Sequence, residues 1–500
     1  MTGAPQSGKS VFLRTLIASL ALTCTPEEVQ LYCIDYGGGG LTALRGMPHV
    51  GGIATRLSSE RVRRILHEVA GVLADREALF DRHGIDSVAE FRRLRRAGQL
   101  PDEPLGDVFL VIDNWYALRT ELEEADALVL DLASRGLGFG VHVVLAANRP
   151  GDLRMNLRDT FGSRVELRLG DPHDSDLGRK LAELVPEGVP GRGLCQEGLQ
   201  FQTAMPRIDD PREGLSLSEA GRHLASAVAE GWTGPRARDV RVLPHLITRE
   251  ELAGRLDPAG TGVLIGVTER DLAPVRLDLR TGDPHLLVYG DSESGKTSFL
   301  RAFMRGLQLD TTLPESRVFL IDLRRTLMQV LPKDWVCSYS GSLATAKVEC
   351  QKLYNSLAKR LPPDDVSFEQ LRDRSWWTGP DIYVVVDDYD LVGSQGGGNP
   401  LSALLELIPQ ARDVGLHIIL ARRVAGATRA GFEPVMQRIR EVGEQGLLLS
   451  GDPSEGRILG GLKAGPEPPG RGMLVRRRSA PERIQTIWMP ELETTAPPSP

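Results

Sequence analysis

Two segments of the chain share the spacing Gly-x-x-x-x-Gly-Lys-Ser/Thr. In such a segment the loop N–H groups surround nucleotide phosphates, the lysine reaches the β and γ oxygens, and the hydroxyl is a ligand of Mg²⁺. Both segments therefore predict a site for a nucleotide and Mg²⁺. The residues of these two phosphate loops are Gly3, Ala4, Pro5, Gln6, Ser7, Gly8, Lys9 and Ser10, and Gly290, Asp291, Ser292, Glu293, Ser294, Gly295, Lys296 and Thr297.

Each copy also contains an apolar strand that ends in aspartate, at 108–113 and at 382–387. A carboxylate at this point lies near the Mg²⁺ of a bound nucleotide, so Asp113 and Asp387 are predicted as catalytic residues. We expect them to hold the metal together with Ser10 and Thr297. The alternative is that the two aspartates only cap turns at the strand ends.

Hydrolysis usually needs a second acid, most often glutamate, to activate the attacking water. The first copy has Asn114 at this position, and an amide cannot accept a proton. The second copy has Asp388, which is one methylene shorter than glutamate and is the only candidate base. Slow turnover, or none, is therefore predicted for both sites.

Three further polar residues are candidates for contact with the nucleotide. Asn148 follows the next strand of the first copy and is predicted to sense the γ-phosphate, with Arg422 taking this place in the second copy. Arg76 and Arg360 lie in matching helices and are candidate arginine fingers for a neighbouring site. The alternative for both is a solvated helix arginine.

The elements that position these residues occur twice in the same order, which indicates one domain present in two copies. Short β-branched runs alternate with helical stretches, a pattern typical of an α/β fold in which helices cover both faces of a mainly parallel sheet. The repeated segments are 3–10 and 290–297, 31–35 and 318–322, 108–113 and 382–387, 140–147 and 415–422, and 190–193 and 469–472.

The predicted organisation is two tandem P-loop NTPase domains. The first covers 1–213, a helical linker covers 214–240, the second covers 241–493, and a disordered Pro-rich tail covers 494–500. The first copy begins inside its phosphate loop, without the strand that leads into the second. We expect either that the chain is a fragment or that another polypeptide supplies this strand, and we favour a fragment.

Composition limits the choice of partners. The net charge of −7 does not favour a large nucleic-acid-binding surface, although it does not exclude a local basic patch. The 5 cysteines are scattered, as in a reduced cytoplasmic protein. The longest apolar stretch, 11–24, contains Arg14 and is far shorter than the ~20 residues of a membrane span.

The motifs resemble those of the FtsK/SpoIIIE superfamily, and most of all the EccC-type ATPases of type VII (ESX) secretion in actinobacteria. The resemblance extends from residue 1 to about 490. It is carried by the two phosphate loops, the acidic strands, Arg-Glu-Ala-Leu-Phe-Asp-Arg-His-Gly-Ile-Asp at 76–86, Gly-Asp-Pro followed by Pro-Gly-Arg-Gly at 170–193, and the lead-in 264–296.

Members of this family carry a membrane anchor and three ATPase modules, and this chain resembles the second and third. The resemblance implies ATP binding with degenerate catalysis, and regulation of an active upstream module. It also implies recognition of WXG-type secreted substrates, multimers on substrate binding, and a membrane-anchored ATPase subunit or module as partner. The implied location is cytoplasmic, peripheral at the inner face of the cell membrane through partners.

Two other functions stay open. One is a DNA translocase of the FtsK type, which the net charge, the tandem modules and the lack of a C-terminal winged-helix reader do not favour. The other is a nucleotide-binding scaffold that does not hydrolyse ATP.

Overall fold

A computed structural model describes residues 1–100, 103, 106–210, 214–257, 260–393, 398–477 and 479–489. The chain divides into two compact units, Met1–Val242 and Leu243–Pro500. Both are α/β units with parallel strands between helices, as the alternating sequence pattern predicts.

The first unit contains two sheets. Strands β1 to β4 form a parallel sheet in the order β2-β1-β3-β4, and β5 to β7 form an antiparallel sheet in the order β5-β6-β7. The strands are β1 (Val29–Asp35), β2 (Val50–Thr55), β3 (Asp107–Asp113), β4 (Val141–Leu145), β5 (Val165–Leu167), β6 (Arg192–Cys195) and β7 (Gln200–Gln202).

Apolar side chains cover both faces of the parallel sheet, because successive strand residues point in opposite directions. Tyr32 and Ile34 pack with α2 and α5, whereas Leu31 and Cys33 pack with α1 and α8. The helices of this unit are α1 (Lys9–Thr23), α2 (Ser59–His83), α3 (Val88–Arg96), α4 (Trp115–Glu121), α5 (Glu124–Arg135), α6 (Met155–Arg158), α7 (Arg179–Ala182) and α8 (Leu217–Glu230).

The second unit contains one large sheet and a small hairpin, β16-β17. The large sheet has 10 strands in the order β12-β11-β13-β14-β10-β15-β18-β19-β8-β9, parallel from β12 to β15 and antiparallel beyond. The strands are β8 (Val263–Thr268), β9 (Pro274–Leu277), β10 (Leu286–Tyr289), β11 (Ser316–Ile321), β12 (Val336–Ser340), β13 (Asp381–Val386), β14 (Leu416–Arg422), β15 (Gly446–Leu449), β16 (Arg457–Leu459), β17 (Leu462–Lys463), β18 (Arg471–Val475) and β19 (Glu482–Thr486).

Two cores lie on the two faces of this sheet. Leu287 and Tyr289 of β10 face one core, and Leu286 and Val288 face the other. The helices are α9 (Arg249–Leu252), α10 (Lys296–Asp310), α11 (Leu343–Leu357), α12 (Phe368–Asp373), α13 (Tyr389–Gly393), α14 (Ala411–Val414), α15 (Ala427–Ala430) and α16 (Pro434–Val442). In the described part of the chain, no helix has the length and apolar character needed to cross a bilayer.

The segment predicted as a helical linker, 214–240, packs on the first unit. It contains α8, whose Leu224 and Ala225 are buried in the core beneath α1. Further along, the Val240 amide donates to the Gly51 carbonyl oxygen of β2. The tail predicted to be disordered, 494–500, lies outside the described residues.

The two phosphate loops leave their sheets at equivalent points. Thr2 forms parallel bridges with Ala147, just after β4, and with Glu166 of β5. In the second unit Tyr289, at the end of β10, pairs with Arg422 of β14 and with Leu448 of β15. Both loops therefore begin at the carboxyl edge of a parallel sheet, where ligands of such sheets bind.

Candidate nucleotide sites

The phosphate loops have the same backbone conformation in both units. Gly8 and Gly295 have φ values of 106° and 101° and precede α1 and α10, and Gln6 and Glu293 have φ values of 63° and 61°. A left-handed residue directly before the helix turns the loop N–H groups towards one centre. The helix N-terminus adds a field that favours an anion.

Each loop lysine bonds to its own loop. Lys9 Nζ donates to the carbonyl oxygens of Gly3 at 2.6 Å and Ala4 at 2.8 Å, and Lys296 Nζ donates to that of Asp291 at 2.9 Å. Burial lowers the pKa of both lysines, against nearby carboxylates that raise it. A phosphate oxygen would replace the carbonyl partners and offer a stronger, charge-assisted bond.

The repeated Pro-Gly-Arg-Gly segment supports the loop in both units. The Gly191 amide donates to the Ser7 carbonyl oxygen at 2.7 Å, and the Gly470 amide to that of Ser294 at 2.8 Å. A Cβ atom at Gly8 would lie 2.5 Å from the Gly191 nitrogen. The sequence repeat at 190–193 and 469–472 is thus explained by contact with the phosphate loop.

A hydroxyl and a carboxylate meet beside each loop. Ser10 Oγ donates to Asp113 Oδ2 at 2.6 Å, and Thr297 Oγ1 donates to Asp387 Oδ2 at 2.7 Å. Burial raises the pKa of both aspartates, and the hydroxyl hydrogen bond acts in the opposite direction. Hydroxyl and carboxylate oxygens are ligands that suit Mg²⁺ held together with nucleotide phosphates, so the residues present fit this ion.

The residue after each strand-end aspartate has a left-handed backbone. Asn114 has φ 62°, and its Nδ2 donates to the Tyr36 carbonyl oxygen at 3.1 Å. Asp388 has φ 49°, and its Oδ2 lies 2.8 Å from Arg324 Nε. The first site therefore has no acid at this position, and the acid of the second site is held in an ion pair.

Two buried aspartates near the sites were not among the predicted site residues. Asp35 accepts hydrogen bonds from the amides of Gly37 at 3.1 Å and Leu41 at 2.7 Å. Asp322 accepts from the amides of Thr326 and Leu327. Each fixes the loop beside its strand-end carboxylate, and the repeated strands 31–35 and 318–322 were the signal that could have identified them.

The strand register changes the assignment of the γ-phosphate position. Because Thr2 pairs with Ala147 and Tyr289 pairs with Arg422, the counterpart of Asn148 is Arg423. The prediction that placed Arg422 opposite Asn148 was thus wrong by one residue.

The two neighbouring arginines have different surroundings. The Arg422 side chain is buried, and its Nη1 has no hydrogen-bond partner among the described residues. Arg423 is partly exposed. Burial is the main cause that lowers the pKa of Lys296, and the positive charge of Arg423 lowers it further. Asn148 is half-buried, and its amide donates to Asp152 Oδ2 at 3.1 Å.

Arg76 is a structural residue. Its side chain has 0% exposure, its Nη1 donates to the carbonyl oxygens of Phe139 at 2.8 Å and Gly140 at 3.1 Å, and its Nη2 donates to that of Gly106. The guanidinium also lies over the Phe91 ring. A side chain without exposed surface cannot reach a neighbouring site, so the arginine-finger prediction for Arg76 is wrong.

Arg360 makes the corresponding contacts in the second unit. Its Nη1 donates to the carbonyl oxygens of Pro380 at 2.9 Å and Val414 at 3.1 Å, and the guanidinium lies 4.3 Å from the Trp377 ring centre. Both arginines therefore fasten the amino ends of two neighbouring strands, at the edge of the sheet opposite the phosphate loop. The contacts support a structural role for Arg360 as well.

Comparison with known proteins agrees with this geometry. The family model described as FtsK/SpoIIIE matches residues 1–210 and 263–333. The ESX secretion system protein EccC of Thermomonospora curvata is 46% identical over 488 residues, which cover 98% of this chain and 37% of that protein. The ESX-1 secretion system protein EccCb1 of Mycolicibacterium smegmatis is 36% identical, over 99% of this chain and 85% of that protein.

A solved structure shares the whole fold. The structure described as Thermomonospora curvata EccC (ATPases 2 and 3) in complex with a signal sequence peptide superposes with a TM-score of 0.82 at 45% identity. It covers 98% of this chain, and this chain covers 88% of it. The chain therefore belongs to the FtsK/SpoIIIE family, and its two units correspond to the second and third ATPase domains of EccC-type proteins of ESX secretion.

Proposed function

We propose that the chain forms the ATP-binding second and third modules of a type VII secretion motor, where it binds WXG-type secreted proteins and regulates an active upstream module. The observation that carries this proposal is the pairing of each phosphate loop with a hydroxyl–aspartate contact, at 2.6 Å in one unit and 2.7 Å in the other. That pairing occurs within two tandem units of EccC-type fold.

In this proposal the chain holds nucleotide through its own loop residues. The loop amides and Lys9 or Lys296 bind the phosphates, and Ser10 with Asp113, or Thr297 with Asp387, hold Mg²⁺. The ion supplies charge neutralisation at the β and γ oxygens. Asn148 contacts the γ-phosphate of the first site. Turnover is slow in both units, because Asn114 cannot take a proton and Asp388 is paired.

The partners follow from the relatives. A related EccC structure contains a signal sequence peptide. We infer that this chain takes the same class of ligand, the signal of a WXG-type secreted protein, and forms multimers when it does. A membrane-anchored ATPase subunit or module keeps the chain at the inner face of the cell membrane. The chain spans 37% and 38% of the length of two of its curated relatives, so these partners are part of the proposal.

Nucleotide binding is tested by titration calorimetry of the chain with ATP and Mg²⁺. Two sites are expected, Lys9→Ala and Lys296→Ala should each remove one, and the double variant should remove both. The matched control is Lys347→Ala, on an exposed position of α11. Retention of both sites in the double variant would contradict the proposal.

Substrate binding is tested by fluorescence anisotropy with a labelled C-terminal peptide of a WXG-type protein and a scrambled peptide as control. Saturable binding of the native peptide alone is expected. If the native peptide does not bind under any nucleotide condition, a nucleotide-binding scaffold is the favoured function instead. Tight, salt-sensitive binding of duplex DNA with stimulated hydrolysis favours a DNA translocase.

A further inference from the structure

The two nucleotide sites differ in charge at four equivalent positions around the phosphate loop. Counted from the matched strand-end aspartates and the strand register, the first unit has the neutral residues Gly37, Asn114, Tyr116 and Asn148, and the second has the charged residues Arg324, Asp388, Asp390 and Arg423. Two arginines and two aspartates in the second unit thus replace four neutral residues.

The four charged residues form two facing pairs. Arg324 Nε lies 2.8 Å from Asp388 Oδ2, and Arg423 Nε lies 4.0 Å from Asp390 Oδ2. The arginine side chains are 48% and 43% exposed, so both are free to move towards a ligand in the site. Ion pairs with this degree of exposure stabilise a fold by about 0–1 kcal/mol, so little stability is lost when an arginine leaves its aspartate.

Each pair contains a residue that directly follows a contact with the second phosphate loop. Asp388 directly follows Asp387, whose Oδ2 accepts from Thr297 Oγ1 at 2.7 Å. Arg423 directly follows Arg422, whose carbonyl oxygen accepts from the Gly290 amide at 3.2 Å. In a phosphate loop the lysine reaches the β and γ oxygens. The two Arg–Asp pairs therefore border the space where the terminal phosphate binds.

We propose that Arg324 and Arg423 bind the terminal phosphate of the nucleotide in the second unit, each leaving its aspartate to do so. This inference rests on the proposed ATP binding. A γ-phosphate carries more negative charge than a carboxylate and offers three oxygens to a planar guanidinium. The second site then distinguishes ATP from ADP more strongly than the first, which has neutral residues at these four positions.

The test uses the full chain with Lys9→Ala, so that nucleotide binds only to the second unit. Titration calorimetry gives Kd for ATP and for ADP, each with Mg²⁺. We expect Arg324→Ala and Arg423→Ala each to weaken ATP about tenfold and ADP less than about twofold, as loss of one charge-assisted hydrogen bond predicts. The matched control, Arg438→Ala, breaks the exposed Arg438–Glu441 pair of α16 and should change neither value.

A second variant gives an effect of the opposite sign, which misfolding cannot produce. Asp388→Asn leaves Arg324 without its competing carboxylate, so ATP should bind about threefold more tightly, with ADP unchanged. Equal loss of ATP and ADP in the arginine variants, or no loss, would overturn this inference while nucleotide binding itself stands. No ATP binding in the Lys9→Ala chain would overturn the proposed second site together with this inference.

Discussion

At four equivalent positions beside the phosphate loop, the first unit has neutral side chains, whereas the second has two arginines and two aspartates. The loops themselves agree closely: Gly8 and Gly295 have φ values of 106° and 101°, and each following lysine bonds to loop carbonyl oxygens. Duplication has thus preserved the contacts that hold phosphate and changed the residues that respond to it. The comparison indicates two sites with a common ligand and different sensitivity to the terminal phosphate.

The arginines that fasten the strand ends provide the largest expected difference between the units. Arg76 is fully buried and bonds to backbone carbonyl oxygens, whereas Arg360 performs the same task half-exposed. Arg76→Leu should lower the free energy of unfolding by about 3 kcal/mol, because carbonyl groups are left buried without donors. Arg360→Leu should cost about 1 kcal/mol, since water reaches its partners.

Amide hydrogen exchange in β3 and β13 measures these changes separately in each unit. Arg82→Leu, an exposed position on α2, is the control and should change stability by less than about 0.5 kcal/mol. An equal loss of unfolding free energy in Arg76→Leu and Arg360→Leu would contradict the claim that the more deeply buried arginine contributes more to stability.

The phosphate-loop glycines should respond alike, which tests the claim that the loops are equivalent. A Cβ atom at Gly8 or Gly295 would lie 2.5 or 2.7 Å from the nitrogen of Gly191 or Gly470, and both positions have positive φ. Each change to alanine should destabilise its unit by about 1–3 kcal/mol and weaken nucleotide binding at that site at least tenfold.

Thermal unfolding and calorimetry check this prediction. Gly188→Ala is the matched control, because φ is 71° there but no atom lies within 4 Å of the added Cβ. It carries the backbone strain without the clash. A change in only one of the two loops would contradict the equivalence of the sites.

The strand-end aspartates are expected to lower the stability of the nucleotide-free chain at neutral pH, although they are needed to bind Mg²⁺. Burial raises the pKa of Asp113 and Asp387 above its ordinary value. An acid whose pKa is raised by folding stabilises the protein most below its unfolded pKa of 3.8, and this stability is lost as pH rises through the folded pKa.

At pH 7, Asp113→Asn and Asp387→Asn should therefore raise the Tm of the nucleotide-free chain and abolish the Mg²⁺ dependence of ATP binding. The rise in Tm should disappear at pH 3. Melting curves at both pH values decide this, with Asp159→Asn as an exposed control. A fall in Tm at pH 7 would indicate that the Ser10 and Thr297 hydrogen bonds outweigh burial.

The smallest expected effect concerns turnover. Because Asn114 cannot accept a proton and Asp388 is paired with Arg324, the chain alone should hydrolyse ATP far below the ~10 per second of a typical enzyme. Asp388→Asn should change this rate by less than about twofold. A rate near that of a typical enzyme which Asp388→Asn abolishes, measured by phosphate release, would refute slow turnover.

The sequence by itself determined the fold and the centre of each site. A phosphate loop and a strand that ends in aspartate are local patterns, because a few consecutive backbone groups and one side-chain spacing carry their chemistry. The repeat of these patterns predicted two α/β copies, and the resemblance predicted the family that the comparisons show. The strands predicted at 108–113 and 382–387 correspond to β3 and β13.

The tertiary structure decided which charged residues belong to the sites. Only the contacts of Arg76 with Gly106 and Phe139, which lie 30 and 63 residues further along the chain, showed that it is a structural residue and not an arginine finger. The counterpart of Asn148 emerged from the pairing of strands, since a shift of one residue moves a side chain to the other face of a sheet. The pair between Arg324 and Asp388 joins the ends of two neighbouring strands. Such contacts depend on how distant segments pack, and no local spacing encodes them.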